Sequence, residues 1–137
     1  MKRLVFVALF LLGCNAESRQ DADSLVRAME RFRKAENKEK PDMIGVVKNT
    51  KCTAADVCAA RTQCLAYADS TARALKTKRD VELSLIAIES GAVPKDSDEA
   101  KALPGKLDEA ERLLKEGFDH LQPCDDQLMA LRRTYRL

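Results

Sequence analysis

The spacing of apolar residues along the chain predicts helices in its folded part. Leu25, Ala28, Met29 and Phe32 recur at intervals of three and four residues, which is the period of one helix face. They predict a first helix over residues 24–37, opened by a serine of the type that caps helices.

The longest predicted helix begins at Thr53 and ends at Ser90. Thr53 and Asp56 form a variant of the capping box, in which a hydroxyl accepts from a free backbone N–H at the helix start. Gly91 can adopt the left-handed conformation that ends a helix, and Pro94 prevents its continuation. At 1.5 Å per residue this helix is about 55 Å long, so a bend or an overhanging end is expected.

Two prolines divide the predicted helix that follows. Ser97 is expected to cap this helix, and the pair Pro104-Gly105 is expected to interrupt it. Pro123 is expected to end or kink it, before a last helical segment over residues 125–135.

The remaining pattern predicts an all-α fold. An apolar cluster at residues 43–47 fits either a short helix or an extended packing segment, and no period-two run lies between turn signals. The chain has 137 residues, only 4% of them aromatic and none of them Trp, which disfavours sandwiches and barrels. We therefore predict a small antiparallel bundle of three to four helices, stapled by disulfides, over residues 24–137.

The first fourteen residues have the pattern of an export signal. Lys2 and Arg3 precede an apolar run over residues 4–12, and Gly13-Cys14 follows. The run is much shorter than the roughly 20 residues that a membrane-spanning helix requires.

The end of this leader, Leu11-Leu12-Gly13-Cys14, resembles the lipobox of bacterial lipoproteins. The resemblance implies that residues 1–13 are removed and that Cys14 is acylated, so that several acyl chains anchor the protein stably. Asn15 in the next position implies the outer membrane, with the periplasmic face as the default location. Residues 14–23 are then the lipidated cysteine and a flexible, solvated tether.

The charge balance argues against a nucleic-acid partner. Two of the 24 basic residues lie in the leader, which leaves 22 basic against 22 acidic residues in the mature chain. A chain without net positive charge lacks the electrostatic attraction on which nucleic-acid binding depends.

Four cysteines remain after Cys14, and helix geometry selects one pairing. If Thr53 caps the long helix, Cys58 and Cys64 lie about 9 Å apart along its axis, beyond the roughly 7 Å limit between bridged Cα atoms. A bond from Cys52 to Cys64 would have to span more, about 15 Å. The remaining pairing is Cys52–Cys58 with Cys64–Cys124, which an antiparallel helix pair turning near residue 94 brings level. A helix start after Cys58 would reopen all pairings.

No catalytic, metal or cofactor site emerges from the sequence. A four-thiolate zinc site is the alternative for the cysteines, but structural zinc uses spacings of two to four residues, whereas five residues separate Cys52 from Cys58 and five separate Cys58 from Cys64. His120 is the only histidine, and its place near a helix C-terminus is explained by the helix dipole. The basic end, with Arg132, Arg133 and Arg136, fits the same dipole role or contact with anionic lipid, cell-wall polymer or an acidic partner.

The sequence therefore predicts a non-enzymatic protein without cofactors, held by its lipid to the outer membrane and facing the periplasm. Its expected role is structural or the binding of an envelope protein, with no small-molecule substrate evident. Two alternatives stay open: an accessory factor of an envelope secretion or assembly system, similar to a pilotin, and a small envelope hydrolase or redox enzyme.

Overall fold

The protein is built from four helices in the part that its computed structural model describes, residues 8–137, with side chains from Ala16 onward. These are α1 (Ala8–Lys34), α2 (Lys40–Lys48), α3 (Ala55–Glu89) and α4 (Asp98–Tyr135), and no strand occurs among the described residues. The predicted all-α class is confirmed, with four helices. The leader residues 1–7 and the side chain of Cys14 lie outside the described part, and so does the predicted acylation.

The helices α3 and α4 form an antiparallel hairpin. α1 and α2 pack against the half of this hairpin that is farther from the α3–α4 turn, which is called its lower half. On α1, Leu25, Met29 and Phe32 are fully buried. α1 runs antiparallel to α4, because Glu30 pairs with Arg132 while Arg33, further along α1, pairs with the earlier Asp125. The cluster at 43–47 lies in α2, where Val47 is buried, so this segment is the short helix.

The predicted tether is corrected by the structure from Ala16 onward. Residues 16–23 belong to α1, and Asp21 and Ala22 are buried. Ala22 lies three positions before Leu25 and therefore extends the apolar spacing of the first helix by one step. Ser24 therefore lies inside α1 and does not cap it. The folded part begins earlier than the predicted boundary at residue 24.

The start and end of α3 lie within two residues of the predicted bounds, but its start is not capped as predicted. The N-cap residue is Ala54, and its side chain makes no capping hydrogen bond. Thr53 instead donates its hydroxyl to Asp21, 3.0 Å away. At the other end, Gly91 has φ +77°, so the predicted left-handed residue after Ser90 is confirmed.

The helix α4 is continuous where two breaks were predicted. Ser97 caps it as expected, since its Oγ accepts from the Ala100 N–H at 3.2 Å. Pro104 and Pro123 both lie inside the helix, so the interruption at Pro104-Gly105 and the end at Pro123 are wrong. Each proline withholds one N–H from the backbone, a cost that the packing of α4 along α3 offsets.

Both predicted disulfides are present. Cys52 is bonded to Cys58, with their Cα atoms 5.0 Å apart, and Cys64 to Cys124, with 4.6 Å between Cα atoms. The four sulfurs that a zinc site would require are therefore engaged in covalent bonds. The second bond joins the first third of α3 to α4 and lies in the fully buried core.

The bundle divides into two parts along the hairpin. The core shared by all four helices includes α3 only as far as Ala72 and α4 only from Cys124 onward. Beyond it, Val81 of α3 and Leu103, Ala110 and Leu113 of α4 are buried outside this core. We call residues 81–113 the arm and the remainder of the described chain the base.

Candidate functional site

The arm exposes large apolar side chains. Leu83 and Ile86 on α3 are 60% and 61% exposed, and Leu85 on α3 and Leu107 on α4 are also exposed. A pair of helices can bury only the seam between them, so an outward-facing Leu or Ile has no neighbour to cover it. A scattered exposed Leu is ordinary, but four in 33 residues make this part of the surface a candidate for binding.

One side of the hairpin is covered by α1 and its loop in the base and is uncovered beyond them. On α3, Arg79 donates to the carbonyl of Lys38 in the α1–α2 loop at 3.3 Å. Ile86 lies seven residues further on, and therefore on the same side two turns along. The side of α3 that contacts the α1–α2 loop at Arg79 therefore carries an exposed isoleucine, Ile86, two turns further along.

The same relation holds on α4. Asp125 pairs with Arg33 of α1, so this side of α4 faces α1 in the base. Phe118 lies seven residues earlier on that side and is 72% exposed. Leu107 lies three further turns along and is exposed as well. We call the surface formed by Ile86, Leu107 and Phe118 the bare face.

The two helices of the hairpin are held close together. A Cβ atom placed on Gly117 would lie 2.7 Å from Thr71 Oγ1 and 3.3 Å from the Thr71 backbone nitrogen. Further out, Ser84 Oγ donates to Glu99 Oε1 at 2.7 Å. In the arm, α3 and α4 are therefore packed directly against each other.

A cluster of aromatic and charged side chains lies beside the buried disulfide, where a guanidinium nitrogen of Arg33 is 3.8 Å from Cys124 Sγ. The rings of Phe32 and Tyr67 meet edge to face at 5.9 Å, and the guanidinium of Arg33 lies 5.8 Å from the Tyr67 ring centre while it pairs with Asp125. Burial raises the pKa of Tyr67 above its ordinary value; Arg33 lowers it and Asp125 raises it. Sequence analysis missed this cluster, because its members are far apart in the chain and follow no motif. It joins α1 to the α3–α4 hairpin.

Lys40 is a second feature that sequence analysis missed. Its side chain is buried, and Nζ donates to the carbonyl of Ala35 at 2.6 Å, just past the end of α1. The ammonium also lies 5.9 Å from the Phe32 ring centre. A cation at this position satisfies carbonyl groups at a helix end and stabilises the turn into α2.

The candidates for chemistry are not assembled into a reaction centre in the described structure. His120 is half-buried on α4, and no acid or nucleophile among residues 16–137 is hydrogen-bonded to it. The same residues contain no group of three or more acidic, histidine or cysteine side chains placed to hold a metal ion. Over the described range, no helix is sufficiently long and apolar to traverse a bilayer.

At the opposite end from the arm, residues 16–19 of α1 lie beside the end of α4. Arg19 donates to the carbonyl of Arg136 at 3.4 Å, and the Tyr135 hydroxyl donates to Asp56 at 3.0 Å. An open hollow of about 400 Å³ is lined there by residues of both chain ends: Ala16, Arg19, Gln20, Asp23, Arg27, Arg136 and Leu137. Cys14 precedes Ala16 by two residues, so its Cα lies within about 7 Å of this end of the base.

Comparison with known proteins identifies no relative: no family model, no curated protein and no solved structure matches this chain.

Proposed function

We propose that this protein is a lipid-anchored protein of the bacterial outer membrane, facing the periplasm, and that it binds another envelope protein through the bare face of the α3–α4 hairpin. The leader and Cys14 support the anchor, by their resemblance to a lipobox. The binding role is supported by Ile86, Leu107 and Phe118, which continue the side of the hairpin that α1 covers in the base.

The observation that carries the proposal is the placement of the two features at opposite ends. α1 contacts the end of α4 at Arg19, whereas the arm ends at the turn between α3 and α4. α3 spans the distance between these ends, about 50 Å for its 35 residues. An anchored protein of this shape holds its apolar surface away from the bilayer, where a protein partner can reach it.

The anchor is tested by the mass of the protein purified from membranes. We expect the mature chain to begin at Cys14 with acyl groups attached, and its four other cysteines to carry no free thiol. An unmodified Cys14, or a chain that retains residues 1–13, would overturn the anchoring.

The binding role is tested by photocrosslinking in intact cells, with the reactive side chain at position 86. The matched control is position 101, an exposed lysine on α4 that lies about a third of a turn from Leu107 around the helix. We expect a discrete crosslinked product from position 86 and little from position 101. The product should disappear when a second variant, Leu107→Glu, adds a charge to the bare face, with the helical circular dichroism unchanged. Equal products from both positions, or a product insensitive to Leu107→Glu, would contradict the proposal.

A further inference from the structure

The end of the base that carries residues 16–19 of α1 collects basic side chains from three separate elements. Arg19 lies on α1, Lys51 lies between α2 and α3, and Arg133 and Arg136 lie at the end of α4. Arg19 and Arg136 line the same hollow, and Lys51 lines a neighbouring hollow together with Glu17 and Gln20 of α1. We call these four side chains the basic end.

Within residues 16–137, none of the four forms an ion pair with an acidic side chain. Nearby acids are engaged elsewhere, with Asp23 bound to Arg27 and Glu30 bound to Arg132.

Two further acids at this end are also occupied. Asp21 is buried and accepts two hydrogen bonds from Thr53, and Asp56 accepts from Tyr135. Glu17 is the exposed acid that remains close to Lys51. Hydrogen bonding leaves the charges of Asp21 and Asp56 in place, but Asp21 is buried. Outside the two ion pairs, the exposed side chains of this end are therefore four cations against the two carboxylates of Glu17 and Asp56, although the mature chain as a whole is neutral.

The helix dipole accounts for only part of this arrangement. Arg133 and Arg136 lie at the C-terminus of α4, where cations are favoured, and Arg19 donates to a carbonyl at that same terminus. Lys51 lies two residues past Asn49, the C-cap of α2, and makes no ion pair with a described residue. A surface drawn from three elements around the anchored end requires a further explanation.

We infer that the basic end contacts anionic phospholipid headgroups of the bilayer that holds the lipid on Cys14. This inference rests on the proposed anchoring. Cys14 lies within about 7 Å of Ala16, and Ala16 shares a hollow with Arg19 and Arg136. An acylated Cys14 would therefore hold Ala16 within about one Debye length of the bilayer surface, about 8 Å at physiological salt. The contact sets the base against the membrane and directs the arm away from it.

The test uses the acylated protein reconstituted in vesicles, with a tryptophan as reporter. The chain has no Trp, so Leu137→Trp supplies one at the basic end and Ile86→Trp supplies a control on the arm. Quenching by a nitroxide attached to lipid headgroups is compared in phosphatidylcholine vesicles and in vesicles that also contain phosphatidylglycerol.

We expect the Leu137→Trp reporter to be quenched more strongly when phosphatidylglycerol is present, and the difference to vanish at high salt. Arg133→Ala combined with Arg136→Ala should abolish the difference, whereas Lys78→Ala combined with Lys101→Ala, which removes the same charge elsewhere, should preserve it. The Ile86→Trp reporter should show no dependence on lipid charge. Equal quenching of Leu137→Trp in both vesicles, or a difference that survives the double arginine variant, would overturn the inference.

A second measurement distinguishes failure of the lipid anchor from failure of the inference about the basic end. If the purified protein carries no acyl mass, it is added to the vesicles directly and its salt-dependent binding is measured. Each basic residue near an anionic surface contributes about a fivefold gain in binding, so loss of Arg133 and Arg136 should weaken binding about 25-fold. That result supports the basic end even though the anchor is disproved, and binding unchanged by the double variant disproves the basic end itself.

Discussion

Asp21 on α1 and Thr53 ahead of α3 are joined by two hydrogen bonds to one carboxylate oxygen. Asp21 Oδ2 accepts from the Thr53 backbone N–H at 2.9 Å and from its hydroxyl at 3.0 Å. Asp21 is only 4% exposed, and burial of a carboxylate is costly unless such bonds compensate for lost water. The hydroxyl predicted to cap α3 thus fastens α1 to the start of α3.

Replacement of Asp21 by Ala should destabilise the fold by about 2 kcal/mol, because two donors on Thr53 lose a charged acceptor. The free energy of unfolding is measured by urea denaturation. Asp23→Ala is the matched control, two residues away, and its exposed pair with Arg27 should cost less than about 1 kcal/mol. Equal losses in the two variants would contradict a specific role for the Asp21–Thr53 contact.

The two disulfides should contribute unequally to stability. The bond between Cys64 and Cys124 closes a separation of 60 residues, and the bond between Cys52 and Cys58 closes one of 6. In the chain-entropy model these correspond to about 4 and about 2 kcal/mol. Unfolding of the two double Cys→Ala variants measures the difference, and a larger loss from removal of Cys52–Cys58 would refute this ranking.

Two glycines of α4 should respond in opposite ways to Ala. Gly117→Ala places a methyl group against Thr71 Oγ1 and the Tyr67 carbonyl, and overpacking of this kind costs about 1–3 kcal/mol. A helix gains about 1 kcal/mol from Gly→Ala, so the net change is a loss of about 1 kcal/mol. Gly105→Ala meets no atom within 4 Å and should stabilise by about 1 kcal/mol.

The midpoint of thermal unfolding gives both signs in one measurement. Combining Gly117→Ala with Thr71→Ala removes the hydroxyl and should recover much of the loss. A stabilising Gly117→Ala would show that α3 and α4 separate there without cost.

Stability should fall at alkaline pH in a way that depends on Tyr67. Its pKa in the folded protein is raised chiefly by burial, so the folded state retains the phenol proton more strongly than the unfolded chain does. The stabilisation is fully present below the unfolded pKa of about 10 and is lost as pH rises through the folded pKa. The free energy of unfolding should therefore fall less steeply above pH about 10 in Tyr67→Phe than in the parent protein.

A direct titration isolates this group, since the chain has only two tyrosines. In Tyr135→Phe, ultraviolet absorbance of the phenolate reports Tyr67 alone, and its midpoint should lie above about 10. A midpoint at or below that value would show that the ring is not desolvated in solution.

The elements were predictable where a local rule decided them. Gly91 and Ser97 end and begin helices because each acts on backbone groups a few residues away. The disulfide pairing followed from the rise of one helix, which limits which cysteines can meet. The overhanging end was expected because a helix starting at Thr53 is longer than a small domain is wide.

Local rules were wrong where a distant contact outweighed them. Pro104 was expected to interrupt α4 and Pro123 to end or kink it, yet α4 packs along α3 as one continuous helix that contains both. Residues 16–23 were expected to be solvated because they are mostly polar, but Ala22 and Asp21 meet partners on other elements. The Tyr67 cluster could not be predicted, since it draws on three helices.

The order of amino acids alone determines the helical class, the helix ends at Gly91 and Ser97, and the sulfur pairing, because these depend on backbone geometry over one or a few turns. Tertiary packing alone decided that α1 and α2 cover only the lower half of the hairpin. That coverage leaves Ile86 and Phe118 exposed and brings the basic residues of α1 and α4 to one end. Such features arise from contacts between residues up to 117 positions apart, and a pattern read along the chain does not contain them.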